Sequence, residues 1–461
     1  MIINEKDTIA AIATPQGNGA IGIIRISGNA AFKIVKKIFH SKIDFDEIIP
    51  NSMVFGKIIE DSQVIDHVMM CKYVAPRSYT GENAVELNCH GGAFIIQKLL
   101  ETVLNAGARL AQPGEFTQRA FLNGKIDLLQ AEAVADLIKS KAEQSQKTSL
   151  SQLEGRLSNY LNDIKAKLER VIVLLELDLD FAEDDIQIEK RSELFRQISN
   201  VEKQVLDLIN SFQKGKILRD GAKLVLVGRP NVGKSSLLNY LLKEDRAIVT
   251  EIPGTTRDTL VEQIQINGVL FSLVDTAGIR KSENQIEVLG VNKTLDALKD
   301  ADIICMIFDG SERLKKEDIY LYNLLEEKFI NTNKVFVQNK NDIEEQVDYQ
   351  IINSGLDDRV IKLSARTGEG IKRLEQKLSD IVLKSDSVNE NIVITRQRHK
   401  RCLIEAKQYL AHALRSMEDR LSYEFVSADL RGALSALGEL FGEVTSLDIL
   451  NRIFAEFCIG K

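Results

Sequence analysis

Lys223-Leu-Val-Leu-Val-Gly-Arg-Pro-Asn-Val-Gly-Lys-Ser235 joins an apolar run to the pattern GxxxxGKS. The run Lys223 to Val227 reads as a buried strand, and the residues after Gly233 read as a helix. That strand–loop–helix context is the one the motif requires. Its glycines let backbone N–H groups turn inward around phosphate oxygens. Gly233 opens the helix, whose positive end adds to the attraction. Lys234 reaches β- and γ-phosphates as a point charge, and Ser235 places its hydroxyl on Mg²⁺.

Working outward, Asp275-Thr276-Ala277-Gly278 follows the strand Val269 to Val274. A carboxylate at that strand end holds a magnesium shell, and Gly278 offers its N–H to a γ-phosphate. Asn339-Lys340-Asn341-Asp342 follows the strand Lys334 to Val337. Asp342 can accept N1–H and N2–H of guanine together, whereas adenine has an acceptor at N1 and no N2 amine. The pattern therefore selects GTP over ATP. Ser364-Ala365-Arg366, after the strand Val360 to Leu363, matches a loop that offers an N–H to guanine O6. Each tetrapeptide alone is weak; four in order on the right elements are specific. Gly254-Thr255-Thr256-Arg257-Asp258 sits where a switch loop belongs, ahead of a hairpin at Asn267-Gly268. Thr256 is the first choice for the second magnesium hydroxyl, and Thr255 the alternative.

One group is missing. Ras-like enzymes orient the attacking water with Gln just after the DTAG-type motif. Here that place holds Ile279, which cannot polarise water. Either hydrolysis depends on a partner or another group does the work. Asn231 can coordinate a monovalent cation, placing positive charge where an arginine finger acts. Glu283 and Glu287 follow as acids able to orient water.

The rest of the chain frames this unit. Residues 1 to about 120 read as mixed α/β, with strands at Thr8–Ala13, Gly19–Ser27, Met53–Ile59 and Val64–Val74 and a helix at Gly92–Asn105. From about 125 to 212 the spacing is helical. Leu150, Leu153, Leu157, Leu161, Ile164, Leu168, Val171 and Leu175 predict one face of a long helix. Gln213–Gly221, polar with two glycines, reads as a domain boundary. Residues 222 to about 383 alternate strands and helices, the pattern of a doubly wound parallel sheet. Lys384–Asn391 reads as a linker, after which helical spacing returns at Leu403, Ala406, Leu410, Ala413 and Met417, then at Ile449, Leu450, Ile453 and Phe457. Gly17–Gly22 spells GxGxxG, but a strand follows it, so it is not a dinucleotide site.

Bulk properties narrow the class. The 461 residues suggest about three domains, and the hydrophobic fraction of 44% supports ordinary cores. Net charge is -7. A chain that coats nucleic acid is usually basic, so RNA contact is expected to be local or shared with a partner. Arg396–Arg401 is the densest basic cluster; a tRNA-phosphate contact and a solvated helix start fit it equally. Five scattered cysteines favour a reducing cytoplasm over disulfides or zinc. No stretch approaches a membrane span, and the first residues do not read as a signal peptide.

At this point the chain resembles the MnmE/TrmE family of tRNA-modification GTPases from end to end. GRPNVGKSSLLN, TEIPGTTRD, DTAGIR, NKND and SARTGEG resemble its G domain, although ribosome-assembly GTPases share much of this. The distinguishing stretches are DTIAAIATPQGNGAIGIIRISG, SYTGENAVELNCHGG, PGEFTQRAFLNGKIDLLQAEAVADLI and the terminal FCIGK. The resemblance implies an α/β plus α chain. An N-terminal α+β tetrahydrofolate-binding and dimerisation domain (1–120) precedes a helical domain (121–215 and 391–461), which receives an inserted Ras-like doubly wound P-loop domain (222–383). It implies folate contacts at Arg25, Glu86, Lys125 and Lys461, and a functional Cys458. It implies K⁺ at Asn231, Thr250, Ile252 and Thr255, and Mg²⁺ at Ser235 and Thr256. Nucleotide contacts run over Asn231, Val232, Gly233, Lys234, Ser235 and Ser236, over Thr250, Glu251, Ile252, Pro253, Gly254, Thr255 and Thr256, over Asp275, Thr276, Ala277 and Gly278, and over Asn339, Lys340, Asp342, Ser364, Ala365 and Arg366. Glu287 would orient water, with Lys234 and Thr256 also catalytic. A homodimer working with FAD-carrying MnmG on tRNA would add a carboxymethylaminomethyl or aminomethyl group to wobble uridine C5. The one-carbon source would be formyl- or methylene-tetrahydrofolate.

Two other functions compete. A ribosome-assembly GTPase would bind rRNA, but no KH-type GxxG loop or second G domain is present in the sequence. A folate-dependent one-carbon enzyme would use the G domain only for regulation, and would turn over folate without tRNA.

Overall fold

The computed structural model describes residues 7–15, 17–180, 190–244, 262–275, 297–352, 356–383, 392–444, 446–455, 457 and 460. The chain divides by packing into two units. One comprises Met1–Ala135, Gln152–Lys190 and Arg415–Lys461, the other Asp136–Ser151 and Arg191–Leu414.

The first unit contains strands β1 (Ile9–Ile12), β2 (Ile21–Ser27), β3 (Phe39–Ser41), β4 (Met53–Glu60), β5 (Gln63–Tyr73), β6 (Ala84–His90) and β7 (Arg109–Leu110). They form one sheet in the order β3-β4-β5-β6-β2-β1-β7. Alternate residues point to opposite faces of a strand. Ile24, Ile26, Ile58, Val68, Met70, Val85 and Leu87 therefore share a buried face, covered by helices Ala31–Ile38 and Ala93–Asn105. The opposite face presents Arg25 and Glu86, which lie directly across from each other on β2 and β6. The run after Gly17 is strand, which excludes a dinucleotide-binding turn as the sequence indicates.

The predicted long helix is broken. Leu150 and Leu153 belong to helix Glu143–Leu153, and a second helix, Arg156–Asp180, carries the rest of the stripe. Gly155 separates them at a φ of +83, which a residue with a side chain rarely adopts. Leu157, Leu161, Ile164, Leu168, Val171 and Leu175 are buried, whereas Leu150 is 43% exposed. Helix Arg156–Asp180 packs along helix Tyr423–Phe441.

The expected boundary at Gln213–Gly221 is also helical, at Phe212–Asp220. Gly215 is there for proximity: a Cβ on it would lie 2.3 Å from the Ile394 carbonyl oxygen. Gly221 only ends the helix, at a φ of +90. Lys384–Asn391 lies outside the described residues.

The second unit contains β8 (Ala222–Val227), β9 (Glu262–Ile266), β10 (Val269–Asp275), β11 (Ile303–Asp309), β12 (Asn333–Asn339) and β13 (Val360–Lys362). The sheet order is β13-β12-β11-β8-β10-β9, parallel except for edge strand β9. Odd and even residues of the central strands enter different cores. Leu224, Leu226, Cys305 and Ile307 pack on one side, and Val225, Val227, Ile304, Met306 and Phe308 on the other. Burial on both faces makes β8 and β11 almost continuously apolar. This is the doubly wound sheet the sequence predicts. Asn267 and Gly268 turn the β9–β10 hairpin with φ of +47 and +79, matching a type I′ turn.

Leu168 is fully buried in the first unit. Leu168→Ala is expected to lose about 2–5 kcal/mol of that unit's stability. Chemical denaturation followed by circular dichroism should show an earlier transition, and an unshifted midpoint would contradict the packing described.

Candidate nucleotide site and a second polar cluster

The order of β8, β11, β12 and β13 puts four loops at the carboxyl edge of one sheet, where open α/β sheets bind ligands. The loop after β8 is the GxxxxGKS segment. Asn231 takes a φ of +64 and Gly233 one of +95, and helix Lys234–Glu244 follows. A Cβ on Gly233 would come within 2.1 Å of Asn339 Nδ2, so only glycine fits. Lys234 folds over the loop, donating from Nζ to the carbonyl oxygens of Gly228 (2.7 Å) and Arg229 (2.8 Å). Ser235 and Ser236, in the first turn, are exposed.

Asn339 closes β12 and ties the loops together. Its Nδ2 donates to the Val232 carbonyl oxygen at 2.8 Å, and its Oδ1 accepts from Ala365 N at 2.9 Å. Both bonds are buried, where leaving either group unpaired costs about 1–3 kcal/mol. Ser364 Oγ donates to Asp342 Oδ1 at 2.6 Å and accepts from the backbone N–H groups of Arg366 and Thr367. The Ser364 hydrogen bond holds the Asp342 carboxyl below the usual range, aided by the charges of Arg366 and Lys340. Asp342 is thereby kept ionised and acceptor-only, the state that accepts two guanine protons. Arg366 Nη1 lies 4.0 Å from Asp342 Oδ2.

The structure thus gathers Asn231, Val232, Gly233, Lys234, Ser235, Ser236, Asn339, Lys340, Asp342, Ser364, Ala365 and Arg366 on these loops. Asp275 ends β10, paired in register with Leu226 of β8, beside the P-loop. Thr250, Glu251, Ile252, Pro253, Gly254, Thr255, Thr256, Thr276, Ala277, Gly278 and Glu287 lie outside the described residues.

Two participants, Arg229 and Asp309, carry no recognisable sequence signal. Arg229, in the P-loop, is buried against Asp309 (3.6 Å), Glu312 (2.8 Å) and Asp318 (3.2 Å). Asp309, at the end of β11, also meets Lys340 Nζ at 2.6 Å. Burial pushes the Asp309 carboxyl up, but hydrogen bonds from Lys340 and Ser311 outweigh it and hold it low.

A second polar cluster sits on the first sheet. Arg25 pairs with Glu86 at 2.9 Å, and its Nη1 donates to the Gly460 carbonyl oxygen at 3.3 Å. Its guanidinium lies over the Tyr79 ring (5.3 Å) and the Phe116 ring (5.8 Å). Tyr73 donates its hydroxyl to Glu86 at 3.3 Å. Tyr79 bonds Thr117 at 2.9 Å, and Lys125 Nζ reaches the Pro76 carbonyl oxygen at 3.0 Å in the loop carrying Tyr79. Arg25, Glu86 and Lys125, drawn from three distant stretches, meet around residues 73–83. Tyr73, Tyr79 and Phe116 were not foreseeable as participants, since aromatic residues default to core. Cys458 and Lys461 lie outside the described residues, although Gly460 between them is buried. The basic cluster at 396–401 is partly structural: Arg396 pairs with Asp136 at 2.7 Å, His399 is buried, and Lys400 stacks 4.9 Å above Phe212. His90 bonds Asp66 at 2.7 Å, a structural contact.

Asp342 must be ionised to accept guanine protons, so binding should fall as pH drops through its pKa. Ser364→Ala removes the largest lowering contact and moves that fall to higher pH. Fluorescent-GDP binding titrated downward from neutral pH checks this; superimposed wild-type and Ser364→Ala profiles would contradict it.

Residues 8–125 match the model of the GTP-binding protein TrmE N-terminus, and residues 128–458 match that of the MnmE helical domain. The tRNA modification GTPase MnmE of Acetivibrio thermocellus is 41% identical over 461 residues, covering 99% of this chain and 100% of its own. The protein of the same name from Clostridioides difficile is 41% identical, covering 99% of each chain. That of Alkaliphilus metalliredigens shows the same identity and coverage. With a P-loop site on a doubly wound sheet and full-length identity at this level, the chain belongs to the MnmE family of tRNA modification GTPases.

Proposed function

We propose that this GTPase uses potassium-dependent hydrolysis to drive modification of the wobble uridine of tRNA, with one carbon drawn from tetrahydrofolate. The observation that carries the second half is the Arg25–Glu86 pair, bracketed by Tyr79 and Phe116 and touched by the chain's terminal segment. An arginine, a carboxylate and aromatic faces are what a charged, planar pterin conjugate requires. Arg25, Lys125 and Lys461 would hold its glutamate carboxylates, and Glu86 the pterin amino and N3 protons. Bound folate supplies a one-carbon unit. Cys458 stands next to that end of the chain. The division into residues 1–120, 121–215 with 391–461, and 222–383 assigns folate binding and dimerisation to the first segment and GTP to the last.

At the nucleotide, Lys234 would neutralise β- and γ-phosphate oxygens, and Ser235 and Thr256 would hold Mg²⁺. Asn231, Thr250, Ile252 and Thr255 would hold K⁺ against the developing charge, because no glutamine follows the DTAG motif. The left-handed backbone at Asn231 and its exposure support that role. Glu287 orients water. The FAD-carrying partner MnmG and a second copy of the chain complete the assembly, which acts in the cytoplasm.

GTP hydrolysis in potassium chloride should exceed that in sodium chloride by roughly tenfold or more, as expected for one preorganised charge. Asn231→Ala should abolish the difference, and equal wild-type rates in the two salts would exclude the cation role. Separately, Arg25→Ala and Glu86→Ala should each weaken 5-formyltetrahydrofolate binding, read by calorimetry, roughly tenfold or more. A wild-type protein that binds no folate would remove the one-carbon reading and leave the GTPase intact.

A further inference from the structure

We propose that Asp309 is a positioning residue for the nucleotide. Its one buried carboxylate sets Lys340 at the base end and Arg229 at the phosphate end. The proposal rests on reading Asn339–Asp342 as the guanine loop.

Strand β11 lies between β8 and β12, and Asp309 is its last residue, in register with Asn339. The position therefore stands between the P-loop and the guanine loop. The side chain is only 1% exposed, and both oxygens are engaged. Oδ2 faces Lys340 Nζ at 2.6 Å and Arg229 Nη2 at 3.6 Å. Oδ1 accepts from Ser311 N at 3.0 Å and Ser311 Oγ at 2.6 Å. The carboxylate is thus oriented by Ser311 before it meets either cation.

Lys340 takes a φ of +68, a conformation that residues with side chains rarely hold unaided. Anchoring its ammonium fixes the course of the four-carbon stem, which otherwise samples many rotamers. An ordered apolar stem is a wall on which a purine can lie. On the other side, Arg229 is clamped by Glu312 and Asp318 as well, and its carbonyl oxygen accepts from Lys234 Nζ at 2.8 Å. The sequence of contacts is Lys340–Asp309–Arg229–Lys234. It links the lysine of the guanine loop to the lysine of the phosphate loop through one acid. A neutral residue of the same size could fill this space, so packing alone does not explain the acid.

Lys340→Met tests the claim directly: it keeps an apolar stem of similar length and loses the charge. On full-length protein with fluorescent GDP, we expect affinity to fall about tenfold, and in GTP turnover the loss should fall on KM more than on kcat. Asp309→Asn should give at least that loss, since it also takes one acid from Arg229, and the double variant should be no weaker than Asp309→Asn alone, because Lys340→Met then removes a contact already gone. Wild-type GDP affinity in Lys340→Met would overturn the proposal, as would losses that add in the double variant. Lys340 is partly exposed, so its variant reports even if Asp309→Asn folds poorly by circular dichroism. Asp342→Asn tests the underlying reading independently. It should exchange guanine for xanthine diphosphate, since the amide can donate to the xanthine C2 carbonyl. Unchanged GDP binding by Asp342→Asn would remove the guanine-loop assignment rather than the network.

Discussion

Asn339 spends one side-chain amide on two loops, donating to Val232 and accepting from Ala365. The nucleotide site depends on that pair of bonds. β8 lies far from β12 and β13 in sequence, and β11 lies between β8 and β12 in the sheet. Parallel pairing brings their carboxyl ends to one edge but does not set the loops to within hydrogen-bond precision. The buried amide does so, because each bond left unmade strands a polar group away from water. Gly233 follows from the same constraint, since any side chain there would occupy the place of the Asn339 nitrogen.

The nucleotide half of the fold was legible because its signals are local. An apolar run ending in GxxxxGKS, and an apolar run ending in NKND, each carry their meaning within a dozen residues. The double burial of β8 and β11 explains why their sequences lack alternation. Where the reading failed, a single residue overrode a periodic pattern. The leucine stripe from Leu150 to Leu175 is continuous in spacing, but Gly155 turns the backbone and separates two helices. At Gln213–Gly221 the polar composition concealed a helix whose Gly215 is set by close contact with Ile394.

The remaining site features were illegible for a different reason. Arg229 and Asp318 are separated by 89 residues, and Arg25 and Gly460 by 435. Partners at such distances leave no trace in spacing. The acids around Arg119 are another case: Asp7, Glu82 and Glu115 converge on its buried guanidinium, and Arg109 shares two of them. For Glu115, burial raises the carboxyl, while bonds from Arg109, Gln112 and Arg119 bring it below the usual range. Such a network is satisfied only as a whole, and removing one member of a buried ion pair costs about 3–5 kcal/mol. It joins the start of β1 to helix Glu115–Leu122, next to the Phe116 ring over which Arg25 lies.

A GTPase of tRNA modification must couple nucleotide turnover at the P-loop to that modification. Mass spectrometry of nucleosides from bulk tRNA of cells lacking this gene reads that coupling. The deletion should lose C5-aminomethyl-type wobble uridines, restored by the wild-type gene and not by one carrying Lys234→Ala. Unchanged nucleosides in the deletion, or full restoration by Lys234→Ala, would contradict it.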